Sequence, residues 1–231
     1  MNWDAKTYNS WQGTVSNRDA KEELGRRIAA KVEDGHVIGV GSGSTAAIAI
    51  QIIAERVRVE RMRVTAICTS AEVTLACAAA GLAVGSLLAL CPDWAFDGAD
   101  EVDPQRNLIK GRGGAMFLEK VVMQASPKNY ILVDQSKLVQ KLGEKFAVPV
   151  EVLPLAFRVV ERELAKIGAT EVSPRIAVKK DGPVITENGN FILDVRFAQI
   201  GPALEKDING IPGVIDSGLF WGRDVELMVA R

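Results

Sequence analysis

At 231 residues, 48% hydrophobic and 25% charged, the chain has the composition of an ordinary soluble globular protein with room for one large domain or one and a half. A formal net charge of -1 leaves no global basic field for nucleic acid or an acidic membrane, so the expected partner is a small molecule. The opening Met1-Asn2-Trp3-Asp4 has no basic or apolar leader character, and no window reaches the ~18 apolar residues of a membrane span. Cys68, Cys77 and Cys91 lie in apolar surroundings without a C-x-x-C pair, which fits reduced, buried thiols in a cytoplasmic protein.

The rhythm of the chain predicts its elements in order. Residues 1–15 read as a loose arm. Ser16 or Asn17 can cap a helix carrying Ala20, Leu24, Ile28 and Val32 at four-residue spacing, and Gly35 can end it. Residues 36–40 form a short strand, 44–57 an apolar helix, 64–68 a second strand and 71–80 a helix stopped by Gly81. Ala95 and Phe96 are the core of a strand closed by Asp97; a helix over 114–125 and a strand over 130–133 follow. Strands alternating with helices predict an α/β fold, a Rossmann-like parallel sheet with helices on both faces. From Val148 the order becomes strand 148–153, helix 156–166, strands 171–178 and 191–195 joined at Asn188-Gly189, helix 202–209 and strand 213–219. That βαββαβ order predicts a smaller ferredoxin-like α+β domain over 147–218. Residues 1–146 and 219–231 make up the Rossmann-like domain, to whose sheet an apolar strand over 225–229 can return.

The densest chemistry lies in residues 97–119, where Asp97-Gly98-Ala99-Asp100-Glu101-Val102-Asp103 precedes Lys110-Gly111-Arg112-Gly113-Gly114 and Glu119. Carboxylates supply acids and bases, while a lysine and glycine-rich backbone N–H groups hold negative charge, so this stretch points to proton transfer on a small anionic substrate. Asp97 falls at the carboxyl end of its strand, where open α/β sheets place ligands. Glu119 is one turn beyond Ala115 on a helix that starts at the glycine cluster. Taken singly, each acid could equally be a solvated loop or cap residue.

A second glycine loop, Gly39-Val40-Gly41-Ser42-Gly43-Ser44-Thr45-Ala46, joins a strand to a helix, so its N–H groups and the helix dipole can cradle a phosphate. Residues 41–46 also fit the dinucleotide pattern G-x-G-x-x-A, yet the next strand ends in Cys68-Thr69-Ser70, with no acid for a ribose hydroxyl. A tight turn without a ligand is the third possibility. Lys137, after the strand ending at Val133, can reach the mouth of the same sheet. His36 sits before the first strand, away from the strand-end loops, and reads as structural. One histidine and scattered cysteines give no recognisable metal-ligand spacing.

These blocks, together with Asp134-Gln135-Ser136-Lys137, Val148-Pro149-Val150-Glu151-Val152-Leu153-Pro154, Thr186-Glu187-Asn188-Gly189-Asn190 and Ile211-Pro212-Gly213-Val214, resemble ribose-5-phosphate isomerase of the A type from about the first helix to residue 222. The resemblance implies an aldose-ketose isomerase acting on a sugar phosphate, with Glu119 as proton acceptor and Asp97, Asp100 and Lys110 as further catalytic groups. It implies substrate contacts at Ser42, Gly43, Ser44, Thr45, Asp97, Gly98, Ala99, Asp100, Lys110, Gly111, Arg112, Gly113 and Lys137, no metal or cofactor, and a homodimer or dimer of dimers. Lys21 is a further candidate for the phosphate. Two positions depart from the family's usual pattern, Ser42 where Thr is common and Arg112 where Gly is common. The alternative is a sugar-phosphate sensor of the same fold; such a regulator needs a DNA-reading domain, and the roughly 20 residues before the first helix are too few for one.

Overall fold

The computed structural model describes residues 16–230; the arm expected at 1–15 lies outside them. In chain order the elements begin α1 (Arg18–Ala29), β1 (Val37–Val40), α2 (Gly43–Glu60), β2 (Thr65–Cys68), α3 (Ala71–Ala79), β3 (Ala83–Gly85) and β4 (Trp94–Asp97). The chain continues through β5 (Glu101–Val102), β6 (Leu108–Ile109), α4 (Met116–Ala125), β7 (Asn129–Asp134) and β8 (Val148–Val152). It ends with α5 (Phe157–Lys166), β9 (Ala169–Pro174), β10 (Phe191–Phe197), α6 (Leu204–Asn209), β11 (Val214–Ser217), β12 (Leu219–Phe220) and β13 (Glu226–Ala230). Contacts divide the described residues into two compact units, one of residues 16–98, 118–136 and 224–230, the other of residues 99–117 and 137–223.

The first unit is built on a six-stranded sheet in the order β13-β7-β4-β1-β2-β3, every pair parallel. Its interior strands β4 and β7 are buried along their whole length, as strands covered on both faces must be. The strand near the C-terminus does return to this sheet, pairing Leu227 with Ile131 and Val229 with Val133. On α1 the buried positions Lys21, Leu24, Gly25, Ile28 and Ala29 recur at the three- and four-residue spacing of one helix face. The helix stops at Ala29, earlier than the expected end near Gly35, because the N–H groups of Lys31 and Val32 bond back only three residues. Val32 is still buried, in the core that gathers Leu24, Ile28, Ile38, Ile50, Ile53 and Phe96. Each such fully buried side chain contributes about 1.5–3 kcal/mol to folding.

Strand β3 was not visible in the sequence: three residues, Ala83–Gly85, carry no measurable period, and most of it is exposed at the sheet edge. The turn after it leaves Cys91 exposed, against the expectation of three buried thiols; Cys68 is half-buried and Cys77 fully buried, and all three are free. A hydrogen bond shared between Cys68 and Cys77 lowers the first thiol's pKa and raises the second's, burial adding to the rise. His36 is structural: its Nδ1 accepts from the Trp94 indole and from the Glu33 N–H, each at 3.1 Å.

The second unit holds an antiparallel sheet in the order β11-β8-β10-β9, the 4-1-3-2 arrangement of a ferredoxin-like βαββαβ unit. Val148, Val150 and Val152 alternate onto one face with Leu193 and Val195, where Val160 and Leu164 of α5 and Ile208 of α6 join the same core. Strand β9 ends at Pro174 rather than 178. Residues 175–190 form an added ribbon, bridged at Ile176–Pro183 and Ile185–Phe191, with Asn188-Gly189 in its final turn. A small antiparallel sheet, β12-β6-β5, ties residues 99–117 to this unit by pairing Leu108 with Phe220 and Ile109 with Leu219. The small unit is therefore larger by contact than residues 147–218. No helix among the described residues is long and apolar enough to cross a membrane.

Candidate active site

In the first unit β1 and β4 are neighbours in the sheet, with Val40 opposite Phe96, so the chain leaves both at one carboxyl edge. There β1 leads on to β2 on one side while β4 lies on the other, which is the switch point where α/β sheets bind ligands. The Gly41 N–H donates to the Phe96 carbonyl at 2.8 Å. A Cβ on Gly41 would sit 2.1 Å from Cγ of Asp97, so glycine is required for Asp97 to fold across the loop. Asp97, 8% exposed, accepts at Oδ1 from the N–H groups of Gly98 (2.7 Å) and Ser42 (3.1 Å). A buried carboxylate thus anchors the turn into α2 through its backbone donors.

The loop hydroxyls divide between two tasks. Ser42 stands at the N-cap of α2 but does not cap it; its Oγ donates instead to Oε1 of Glu119 at 2.6 Å. Glu119 projects from the first turn of α4 and is 5% exposed, so this charge-assisted bond fixes a buried carboxylate against the glycine loop. Ser44 accepts from Nζ of Lys21, 2.9 Å away, a lysine on the buried face of α1 and only 5% exposed. Thr45 follows in the first turn of α2. Ser42, Gly43, Ser44, Thr45, Asp97, Gly98 and Glu119 are all residues of this unit.

Ala99, Asp100, Lys110, Gly111, Arg112, Gly113 and Lys137 belong to the second. The Asp100 N–H donates to the Ile109 carbonyl at 2.8 Å, and its Oδ2 accepts from the Arg112 N–H at 3.0 Å. Lys110 is 3% exposed; its N–H donates to the Gly218 carbonyl at 2.9 Å and its ammonium lies 5.5 Å from the Phe220 ring centre. Gly111 has φ +95° and its Cα packs against Met116, a position only glycine fills without strain. Arg112 is exposed and stacks on Phe146 at 5.6 Å, while Lys137 lies 5.5 Å from the same ring.

Two of the five acids in the 97–119 stretch have other work. Glu101, fully buried, accepts from the N–H groups of Gly143 (2.6 Å), Lys145 (2.5 Å) and Phe146 (2.7 Å), and so holds the loop that carries the Phe146 ring. Asp103 accepts from the N–H groups of Gln105 and Asn107 and from the Asn107 side chain, closing its own turn. Sequence reasoning missed Arg175, whose Nη1 donates to the carbonyls of Gly111 (2.9 Å) and Arg112 (2.8 Å). Nothing in its local sequence marks it, since the two carbonyls it holds lie more than 60 residues earlier. Among the described residues no group of three His, Cys, Asp or Glu side chains could hold a metal ion.

The model of the family described as ribose 5-phosphate isomerase A (phosphoriboisomerase A) matches residues 65–231. The chain belongs to the ribose 5-phosphate isomerase A family. It is 46% identical over 207 residues to the ribose-5-phosphate isomerase A of Thermosynechococcus vestitus, covering 88% of this chain and 87% of that one. With the isomerase A of Methanocaldococcus jannaschii the identity is also 46%, over 209 residues, 89% of this chain and 92% of the relative. A solved structure of ribose 5-phosphate isomerase A from Methanocaldococcus jannaschii superposes with a TM-score of 0.89 at 45% identity, covering 94% of this chain and 96% of the other. A D-ribose-5-phosphate isomerase solved in complex with phospho-erythronic acid gives the same TM-score and coverage at 37% identity. Ribose 5-phosphate isomerase A therefore accounts for the architecture of both units. The chemistry must be read from the residues.

Proposed function

We propose that the protein interconverts D-ribose 5-phosphate and D-ribulose 5-phosphate, with Glu119 as the base that moves a proton between C2 and C1 through an enediolate. The observation that carries this reading is the 2.6 Å bond from Ser42 to Glu119, which presents a buried carboxylate beside a glycine loop suited to a phosphorylated ligand. Family membership supplies the substrate class.

Glu119 takes the C2 proton of the open-chain aldose and returns it to C1, while one proton passes from O2 to O1. Asp97 and Asp100 serve that exchange and the ring opening that must precede it. Lys110 and the N–H groups of the Gly111–Gly113 turn stabilise the enediolate oxygens. Side chains supply every proton and charge this scheme needs, so no cofactor enters it. The phosphate rests on Gly43, Ser44 and Thr45 at the start of α2, with Lys21 behind Ser44. Gly98, Ala99 and Lys137 complete the substrate contacts, and Arg112 contributes mainly through its backbone. In this reading the enzyme works in the cytoplasm on a free sugar phosphate, as a homodimer or dimer of dimers; Leu153, Leu155, Val159 and Ile215, all exposed on the small unit, favour association.

A coupled assay for ribulose 5-phosphate, run with and without a chelator, tests the reading. Turnover unaffected by the chelator is expected. Absence of turnover with ribose 5-phosphate would leave a ligand-sensing role in its place.

A further inference from the structure

We infer that Arg175 is a positioning residue for the turn that stabilises the enediolate: by holding the carbonyls of Gly111 and Arg112 it aims and polarises the N–H groups of Arg112 and Gly113. The inference rests on the assignment of the 110–113 turn to enediolate stabilisation.

The guanidinium is fixed on both edges. Nε donates to Oδ2 of Asp194 on β10 at 2.9 Å and Nη2 to Oδ1 of the same carboxylate, a two-pronged pair that leaves the arginine side chain 17% exposed. From that anchored position Nη1 reaches two consecutive carbonyls, Gly111 at 2.9 Å and Arg112 at 2.8 Å. In a trans peptide the C=O and the following N–H point in opposite directions. With both carbonyls turned to Arg175, the N–H groups of Arg112 and Gly113 are turned away from it. The first of these donates to Oδ2 of Asp100 at 3.0 Å, holding one of the aspartates assigned to proton exchange. The second belongs to an exposed residue of the same turn and is the donor left for the substrate.

A cation on the carbonyl side of a peptide pulls electron density from its N–H and makes it a stronger donor. Two adjacent peptides are polarised in this way and fixed before substrate arrives, one holding Asp100 and the other presenting the Gly113 N–H as a preorganised donor to a developing oxyanion. The fork geometry matters, because one guanidinium serves a carboxylate and two carbonyls at once, which a lysine cannot do. A staple that merely fastened the 175–190 ribbon to the turn would use the same bonds but would not distinguish the enediolate from the ground-state sugar.

Arg175→Lys keeps the charge and loses the fork; Arg175→Gln keeps one neutral donor. For each variant kcat, KM for ribose 5-phosphate, the melting temperature, and the inhibition constant of phospho-erythronate are measured, the last being a four-carbon aldonate whose carboxylate resembles the enediolate oxygens. Arg175→Gln is expected to lower kcat and to weaken phospho-erythronate binding, each by about 10–100-fold, with KM within about threefold of wild type. Arg175→Lys is expected to fall between the two. The inference is overturned if Arg175→Gln keeps kcat and inhibitor affinity within threefold of wild type. It is also overturned if Lys and Gln lose equally, or if KM rises in step with the inhibition constant as the melting temperature falls. Should Arg175→Gln not fold, Arg175→Lys decides alone, with unchanged kcat counting against the idea. Wild-type turnover is scored separately, so a failed isomerase assignment shows itself before any variant is read.

Discussion

The two glycine-rich turns are held in opposite ways. At residues 41–45 a carboxylate, Asp97, grips the turn through the Ser42 backbone N–H, and the hydroxyls of Ser42 and Ser44 are shared between an anion, Glu119, and a cation, Lys21. At residues 111–113 a guanidinium, Arg175, grips the turn through its carbonyls, leaving its N–H groups to face the other way. The first turn is a strand-to-helix junction whose donors are topped by the dipole of α2, suited to a fixed dianion such as a phosphate. The second lies just ahead of α4 and adds Lys110 and the borrowed charge of Arg175, suited to negative charge that appears only during reaction. In the proposed scheme the turn that takes the phosphate and the turn that stabilises the enediolate are thus built from different parts.

With Glu119 proposed as the base, its replacement is expected to have the largest effect. Glu119→Gln preserves size and the hydrogen bond from Ser42 but removes the basic oxygen, so kcat is expected to fall by at least ~10²-fold with little change in KM. Incorporation of solvent deuterium at the sugar carbons should fall in parallel. Near wild-type kcat in this variant would transfer the base to Asp97 or Asp100 and would sink the mechanism. Asp97→Asn is expected instead to slow the closed-ring aldose more than the open-chain ketose, which separates ring opening from proton transfer when both directions are assayed.

Stability gives the next effect. Glu101→Ala strands three N–H groups of the 143–146 loop, and the partial burial of those bonds sets the loss at about 2–3 kcal/mol. For a chain of this size that lowers the melting temperature by about 4–12 °C. The same variant frees the Phe146 ring beneath Lys137, so KM should rise as well. A melting curve superimposable on wild type would mean that the loop is held by something else.

Within the first turn, Ser42 and Thr45 divide the labour in a way that kinetics can separate. Ser42→Ala removes the donor to Glu119 and is expected to lower kcat by about tenfold, ~1.4 kcal/mol, with KM nearly unchanged; Ser42→Thr should restore the rate. Thr45→Val removes the hydroxyl proposed to donate to phosphate and should raise KM while sparing kcat. The reverse pattern would put Ser42 on the phosphate and leave Glu119 oriented by other groups.

How far the sequence carried depended on whether the determining contacts were local. The alternation of β1, α2, β2, α3 and β4 follows from apolar periodicity, and the βαββαβ order from element sequence and Asn188-Gly189. Strands β3, β5, β6 and β12 have only two or three residues each, too few for any period to register. In the site, Asp97 and Glu119 could be singled out because strand end and helix start are positions with a physical meaning. Glu101 and Asp103 sit in the same acidic run with the same residue types, and only the folded loops show that one clamps residues 143–146 and the other closes its own turn. The Ser42 hydroxyl, in a residue the resemblance counts among the substrate contacts, donates to a carboxylate 77 residues later in the chain, a partner no local pattern announces. Arg175 was silent because a lone cation after a strand has no pattern, and its meaning lies entirely in what it touches.

The smallest expected effect concerns Arg112, the residue whose size and charge drew attention in the sequence. Its backbone does two jobs, donating to Asp100 and accepting from Arg175, and both survive replacement of the side chain. The side chain itself is exposed and stacks on a half-buried ring, a cation–π contact worth about 0.5–1 kcal/mol in such a setting. Arg112→Gly deletes that contact and loosens the backbone by a comparable amount, so the protein should lose about 1–2 kcal/mol of stability while KM stays within about threefold. The salt dependence of KM should be unchanged, since a cation that does not meet the phosphate contributes nothing to it. A tenfold rise in KM, equivalent to ~1.4 kcal/mol, together with a flatter salt dependence, would show that the guanidinium reaches the substrate. The second turn would then hold a permanent charge as the first does, and the contrast between them would narrow to how each is anchored.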